Sequence, residues 1–316
     1  MRTRRTRLGV PTDGTFTAVL RAYETSPQFP KHPGTAANYS RVIRWAEAVL
    51  GRYSTTDPVN GIRPKLVLAA LDMLADRPGE MFTARAVLVT IDKWAVPREH
   101  LLHPITYGVK IKVEIGGHEP WTDAQVALAQ QHASPALARV IMIAVNTGQR
   151  GSDVRKMRLT DIAEHRHPVS GHVYPGIHVT QQKTGVRIWV PFTDELAAAI
   201  AVWRLDIRPP WLLVTQSDGS PISRLSVEWA RERDKNEALA PLKDAGLVLH
   251  GLRGTCVVRL RKAGLSALQI GNMIGMSEQM VARYSRLADK IEMSLGAVHQ
   301  LKPKERAANT DEQKSG

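Results

Sequence analysis

The 316-residue chain carries 43 Lys and Arg against 30 Asp and Glu, and its net charge of +13 favours a polyanionic partner. Its 43% hydrophobic and 23% charged residues are typical of a globular protein with room for two domains, and no apolar run of about 18 residues predicts a membrane span. The single Cys256 excludes an internal disulfide framework, and the basic start lacks the apolar segment of a secretory signal. We therefore expect a cytoplasmic protein bound to DNA or RNA. From charge alone a membrane-surface protein is the alternative, although no basic amphipathic anchor stands out.

The first segment, residues 1–12, is basic because it contains Arg2, Arg4, Arg5 and Arg7 among small residues. Two interpretations stay open for it: a solvated tail, or an arm that lies along phosphates. Under either interpretation, residues 1–12 are predicted to be a basic, flexible segment, here called the arm.

Residues 13–104 are predicted to form an all-helical domain, because their apolar residues recur at spacings of three and four. Thr35 and Thr83 are the expected N-caps of two of its helices. Prolines with nearby glycines punctuate the joints. The predicted helices cover residues 15–26, 35–50, 64–75 and 83–99.

Residues 105–117 are predicted to be a linker or the first edge of a second domain. Within them, apolar residues alternate between 107 and 115, which predicts an extended segment that Gly116 and Gly117 end.

The second predicted domain, residues 118–301, is mainly α with a small antiparallel β-sheet, so the whole chain is assigned to the α+β class. Its strands are predicted at 176–182 and 187–192, joined by a Lys183-Thr184-Gly185 hairpin turn. The polar tail, residues 302–316, is expected to be disordered. The predicted helices begin at Asp123, after Thr122 as N-cap, and cover residues 134–146, 194–205, 224–232, 252–263, 267–274, 278–287 and 291–301.

Two local motifs in this domain place cations where phosphate could bind. Arg150 follows a turn that closes an apolar helix, so its side chain is predicted to project at a domain surface. Asp153 lies one helical turn further on and is expected to hold Arg150 by a hydrogen bond. His250 and Arg253 form an i, i+3 pair at a helix start, which favours an anion. Taken singly, each of these also fits an ordinary surface residue.

Lys183 and Tyr284 add two further reactive groups. The hairpin turn presents the Lys183 ammonium, and Tyr284 lies in a basic helical stretch where its phenol could pack, cap a surface or attack phosphorus. No second His or carboxylate stands at metal-ligand spacing. Together the cations, the imidazole and the phenol could break and reseal a DNA strand, so we expect neither a metal nor a cofactor.

The order of these motifs resembles the tyrosine recombinases, the phage integrase family, which share their mechanism with type IB topoisomerases. Residues 146–153, NTGQRGSD, resemble the first-arginine box T-G-x-R-x-x-E/D. Residues 182–185, QKTG, resemble the hairpin lysine box, and residues 249–255, LHGLRGT, resemble H-x-L-R-x-T/S. Tyr284 follows at a separation typical of the family.

This resemblance covers about residues 118–300 and implies a catalytic domain, while residues 13–104 fit the family's helical core-binding domain more loosely. It implies site-specific recombination, as in integration or excision of a mobile element, through a 3′-phosphotyrosine intermediate. The implied roles are phosphate clamping by Arg150 and Arg253, protonation of the 5′-oxygen by Lys183, assistance to proton transfer by His250, nucleophilic attack by Tyr284, and support by Asp153.

The implied partners are double-stranded DNA, on which the protein would be nucleoid-associated, and three further copies of the chain in a tetramer on paired sites. The apolar face of helix 291–301 could dock on a neighbouring protomer, or it could pack within its own chain. DNA-bending accessory proteins are further candidate partners.

One position departs from the family pattern. Met276 stands where the family usually has a His, or sometimes a Trp, that contacts the phosphate. A thioether neither donates to phosphate nor carries a proton. Two alternatives therefore stay open: a topoisomerase-like nicking and closing enzyme, and a catalytically weakened family member that binds DNA.

Overall fold

The computed structural model describes residues 14–57, 61–112 and 118–286. The chain divides into two compact units, residues 1–116 and 117–316. Four predicted features lie wholly or partly outside the described residues: the arm 1–12, the end of the segment 105–117, the helix 291–301 and the tail 302–316. The finer division into arm, linker and tail stays a prediction.

Four α-helices build the described part of the first unit: α1 (Phe16–Thr25), α2 (Pro33–Leu50), α3 (Pro64–Asp72) and α4 (Pro78–Ala95). Their apolar faces meet in one core, in which Phe16, Leu20, Ile43, Leu71 and Leu88 are completely buried. The apolar spacing therefore predicted the four helices, and their bounds differ from the predicted ones by a few residues.

The N-caps predicted at Thr35 and Thr83 are wrong. Both helices begin earlier, at Pro33 and Pro78, each of which occupies the first turn. Proline has its φ already fixed near the helical value and lacks the N–H that a first-turn residue would leave unpaired. Thr83 instead lies within α4 and donates its hydroxyl to the Gly79 carbonyl.

The segment after α4 does not form the predicted extended strand in its described part, residues 107–112. The buried Asp92 carboxylate accepts hydrogen bonds from the backbone N–H groups of Ile105 and Thr106, at 3.0 and 2.8 Å. These bonds hold a turn, and Ile105 and Val109 pack into the first core. Apolar alternation here reflects anchoring to a helical core rather than strand pairing.

The second unit contains nine helices in its described part and one three-stranded antiparallel sheet, in the order β1-β2-β3. The strands are β1 (Ile162–Arg166), β2 (Val173–Thr180) and β3 (Arg187–Pro191). The helices are α5 (Asp123–His132), α6 (Pro135–Thr147), α7 (Gly151–Val154), α8 (Asp194–Trp203), α9 (Leu225–Lys235), α10 (Ala240–Asp244), α11 (Gly251–Lys262), α12 (Ala267–Ile274) and α13 (Glu278–Ser285).

Most of the predicted elements of this unit are present. Thr122 caps α5 in a reciprocal capping box with Gln125, and the hairpin of β2 and β3 encloses the predicted turn. Strand β1 and the short helices α7 and α10 were not predicted. Within the described residues, no helix is both long and apolar enough to cross a bilayer.

Two apolar clusters organise the second unit. The larger one is centred on α6 and includes Trp121 and Trp229, whose ring centroids lie 5.2 Å apart. The smaller one joins α11, α12 and α13 and includes Cys256 and Tyr284. Burial raises the pKa of the Cys256 thiol to about 12, so this side chain is a neutral core residue.

Candidate active site

The turn between α6 and α7 carries Arg150. Helix α6 ends at Gly148, whose φ of 63° lies in the left-handed region that favours glycine. A Cβ there would also lie only 3.1 Å from the Cys256 sulfur and 3.2 Å from the side chain of Ile274. This close packing sets the path of the chain into Arg150, which is the N-cap residue of α7.

Arg253 lies in the first turn of α11 and is 3% exposed. Its guanidinium donates hydrogen bonds to the carbonyls of Gly148 and Gly275, the latter at 3.4 Å. Burial, and then the nearby charge of Arg150, lower the pKa of Arg253 to about 10. Arg253 therefore stays protonated at neutral pH, and its charge interacts with that of Arg150.

Lys183 lies in the exposed turn between β2 and β3. The buried Asp153 supports this turn, because its Oδ1 accepts a hydrogen bond from the backbone N–H of Gln182 at 3.1 Å. The predicted hydrogen bond from Arg150 to Asp153 is not formed; Arg150 donates instead to Gln181 Oε1 at 3.4 Å. One helical turn of sequence separation does not bring these two together, because Arg150 caps α7 rather than lying within it.

His250 precedes α11, and its ring lies against that of His118 with centroids 5.0 Å apart. A hydrogen bond connects the segment that carries His118 to α11: the Trp121 backbone N–H donates to the Thr255 hydroxyl at 2.7 Å. Partial burial lowers the pKa of His250, and the charges of His118, Arg253, Arg150 and Lys183 lower it further. His118 thus contacts the His250 ring, and the other three groups act on it electrostatically.

Tyr284, on α13, is buried to 6% exposure. Its ring packs against α11 at Gly254, where a Cβ would lie 2.8 Å from the ring. Glycine at this position lets α13 bring the phenol next to Arg253, with which it interacts electrostatically. The predicted set of Arg150, Lys183, His250, Arg253 and Tyr284 is thus carried by segments that contact one another.

Met276 lies in the turn between α12 and α13 and is half-buried. Its side chain packs against the apolar cluster of Cys256 and Ile274. It therefore packs against this apolar cluster, and its thioether offers no hydrogen-bond donor to a phosphate.

The sequence profile described as the phage integrase family matches residues 124–290. The chain belongs to the phage integrase family. No sequence among the curated proteins matches this chain. The profile match confirms the predicted family. It also confirms the predicted class of enzyme, a site-specific DNA recombinase of the tyrosine type.

Solved structures of other recombinases share the fold of this family member. A lambda integrase tetramer bound to a Holliday junction matches with a TM-score of 0.68 and 21% identity, over 87% of this chain and 79% of that one. Tn1549 transposon integrase in complex with circular intermediate DNA matches with a TM-score of 0.62 and 14% identity, over 90% of this chain and 99% of that one. XerH recombinase bound to a palindromic difH substrate matches with a TM-score of 0.60 and 12% identity, over 84% of this chain and 80% of that one. The predicted α+β recombinase fold is confirmed.

Sequence motifs missed three residues of this integrase-family site. His118 contacts His250, and the buried amides of Gln149 and Gln181 lie beneath Arg150. Gln149 stands inside the arginine box, and Gln181 directly precedes the lysine box. The sequence therefore showed that both glutamines lie next to predicted site residues. Their burial, at 1% and 0% exposure, depends on the folded chain. Nothing in the local sequence marks His118.

Proposed function

We propose that the site of Arg150, Lys183, His250, Arg253 and Tyr284 performs the DNA strand cleavage and rejoining of this recombinase. The observation that carries the proposal is the packing of Tyr284 against the helix that holds Arg253, together with the electrostatic action of three cations on His250. Such a site binds a phosphate diester and stabilises the charge that builds up during attack on phosphorus.

In the proposed reaction the Tyr284 oxygen bonds to phosphorus while the bond from phosphorus to the 5′-oxygen breaks. The two guanidiniums stabilise the non-bridging oxygens. His250, whose pKa is lowered mainly by burial, is able to accept the phenol proton at neutral pH. Lys183, exposed at the tip of its turn, gives a proton to the departing 5′-oxygen. The phosphotyrosine ester retains the bond energy, so a 5′-hydroxyl reseals the strand without ATP.

Asp153 has a supporting role in this proposal. It is 3% exposed, and it fixes the lysine turn through the Gln182 N–H. Its charge also acts favourably on Arg253. A neutral residue at this position would loosen the turn and leave the Arg253 guanidinium less compensated.

Double-stranded DNA and further copies of the chain are the proposed partners. The lambda integrase tetramer is bound to a Holliday junction, the Tn1549 integrase is in complex with circular intermediate DNA, and XerH recombinase is bound to a palindromic difH substrate. Docking of residues 291–301 on a neighbouring protomer, and DNA-bending accessory proteins, are the finer parts of this proposal.

A nicked suicide duplex that carries the authentic site tests the reaction. Loss of the short fragment beyond the nick traps the covalent intermediate, so wild type should give an SDS-resistant protein–DNA adduct. Tyr284→Phe should give none, since it removes the attacking oxygen and leaves the packing against Gly254. An equal adduct from Tyr284→Phe would refute the assignment of the nucleophile.

The weakened, DNA-binding alternative is favoured by one observation, the packing of Met276 into the core. It predicts specific DNA binding without any adduct on the suicide duplex. The topoisomerase-like alternative predicts relaxation of any supercoiled plasmid, independent of sequence. The same purified protein can be scored in all three assays.

A further inference from the structure

Gln181 lies at the base of the turn that carries Lys183 and is completely buried, at 0% exposure. Its backbone closes the turn, because its N–H donates to the Val186 carbonyl at 2.9 Å and its carbonyl accepts from the Gly185 N–H at 2.8 Å. The side chain of Gln181 therefore leaves from a fixed point directly beneath the lysine turn.

The amide nitrogen of Gln181 reaches the other half of the site. It donates to Gln149 Oε1 at 2.9 Å and to the Ile274 carbonyl at 2.9 Å. Gln149 Nε2 donates to that same carbonyl at 3.0 Å. Ile274 ends α12, and the next carbonyl, that of Gly275, accepts from Arg253. This nitrogen thus ties the hairpin to the turn that precedes the tyrosine helix.

The amide oxygen of Gln181 completes the connection. It accepts a hydrogen bond from Arg150 Nη1 at 3.4 Å and from the Thr184 hydroxyl at 3.1 Å. Both donors and both acceptor positions of the amide are therefore used. The reversed amide orientation is excluded, since it would point N–H groups at the Arg150 guanidinium and an oxygen at the Ile274 carbonyl.

We propose that Gln181 is a positioning residue that holds the Lys183 turn and Arg150 in one fixed relation to the helix of Tyr284. The proposal rests on the function proposed above. A single buried side chain contacts the arginine box, the lysine turn and the turn before α13. Its loss should shift the acid and a phosphate ligand relative to the nucleophile, and small shifts of reacting groups are costly in rate.

Gln181→Met is the variant of choice, because methionine has a similar length and removes all four hydrogen bonds. We expect single-turnover cleavage of the suicide duplex to fall by about 10- to 100-fold, while the DNA dissociation constant stays within about threefold. A purely structural amide would instead lower the melting temperature and leave the cleavage rate of the folded protein unchanged.

Two controls separate these outcomes. Leu242→Ala opens a cavity in α10, at a completely buried residue outside the described site, and calibrates the effect of lost stability on cleavage. A duplex with sulfur in place of the scissile 5′-oxygen needs no acid, because a thiolate leaves unprotonated. On this duplex the Gln181→Met defect should shrink by about tenfold, as for Lys183→Ala.

Three results would overturn the proposal: cleavage by Gln181→Met within about twofold of wild type, a defect no larger than that of Leu242→Ala at matched melting temperature, or a defect undiminished on the sulfur duplex. Failure of the proposed function itself looks different. In that case wild type gives no adduct on the authentic site.

Discussion

The two halves of the proposed active site are held in different ways. Arg253 and Tyr284 are buried on helices that pack against each other, and their neighbours are backbone carbonyls and core side chains. Lys183 lies in an exposed turn that is fixed from below by Gln181 and Asp153. A guanidinium that never loses its proton tolerates burial, whereas a lysine that must donate one needs access to its target and a correct position. The chemistry of each cation therefore matches the support that it receives.

The buried half should show the largest effect. Arg253→Lys keeps the charge but loses the planar fork that donates to the Gly148 and Gly275 carbonyls and, in the proposed reaction, also binds a phosphate oxygen. We expect single-turnover cleavage to fall by about 100- to 1000-fold, in the range found for removal of one transition-state donor. Arg259→Lys is the matched control, since Arg259 is on the same helix and pairs with Asp123 at its surface. Comparable losses in both variants would contradict the role given to Arg253.

The exposed half should lose activity without losing stability. Lys183→Ala removes the proposed acid, and we expect a fall in cleavage of about 100-fold with an unchanged melting temperature, because the side chain is exposed and covers no core. Rate and melting temperature are measured on the same preparation. Lys156→Ala provides the exposed-lysine control. If the sulfur duplex failed to restore the rate of Lys183→Ala, the lysine would not be the acid.

The same contrast explains what could be predicted from the sequence. Thr122 with Gln125, and the Lys183 turn between two apolar strands, are local signals, and both predicted their elements. Strand β1 carries Glu164, His165 and Arg166, which are all exposed, so it lacks alternation and exists through its pairing with β2. The three boxes, with Tyr284 after them, point to the proposed reactive residues because each box is short and continuous.

The supports of the site were less predictable because they join distant parts of the chain. Gln149 and Gln181 are 32 residues apart, and His118 and His250 meet only in the folded unit. The expected bond between Arg150 and Asp153, which lie close in the sequence, failed for a different reason. Sequence spacing described a continuous helix, whereas the chain starts a new helix at Arg150.

A substitution in the contact between α11 and α13 should lower cleavage by less than the changes at Arg253 and Lys183. In Gly254→Ala the new methyl group would lie 2.8 Å from the Tyr284 ring and 3.1 Å from Pro120. We expect a loss of about 1–3 kcal/mol in the free energy of unfolding, from overpacking of a filled core. Displacement of the phenol should lower cleavage by about tenfold. Gly185→Ala, whose methyl group would meet nothing within 4 Å, controls for the backbone change, although its φ of 71° adds strain of its own.

The smallest effect should come from His118, and it should appear in the pH profile rather than in the maximal rate. Burial lowers the pKa of His250 first, and the charges of His118, Arg253, Arg150 and Lys183 lower it further. A lowered pKa means that His250 loses its proton at a lower pH than a free histidine. His118→Asn removes one of the charges that disfavour the imidazolium, so the pKa of His250 should rise. The limb of the pH–rate profile that reports His250 should move to higher pH.

His172→Asn is the matched control for this prediction, because that ring contacts Tyr174 on the sheet. It should leave the limb in place, and His250→Asn should abolish the limb. A shift to lower pH in His118→Asn would show that His118 stabilises the charged form of His250. His118 would then stabilise the protonated His250 ring by attraction, instead of disfavouring it by repulsion.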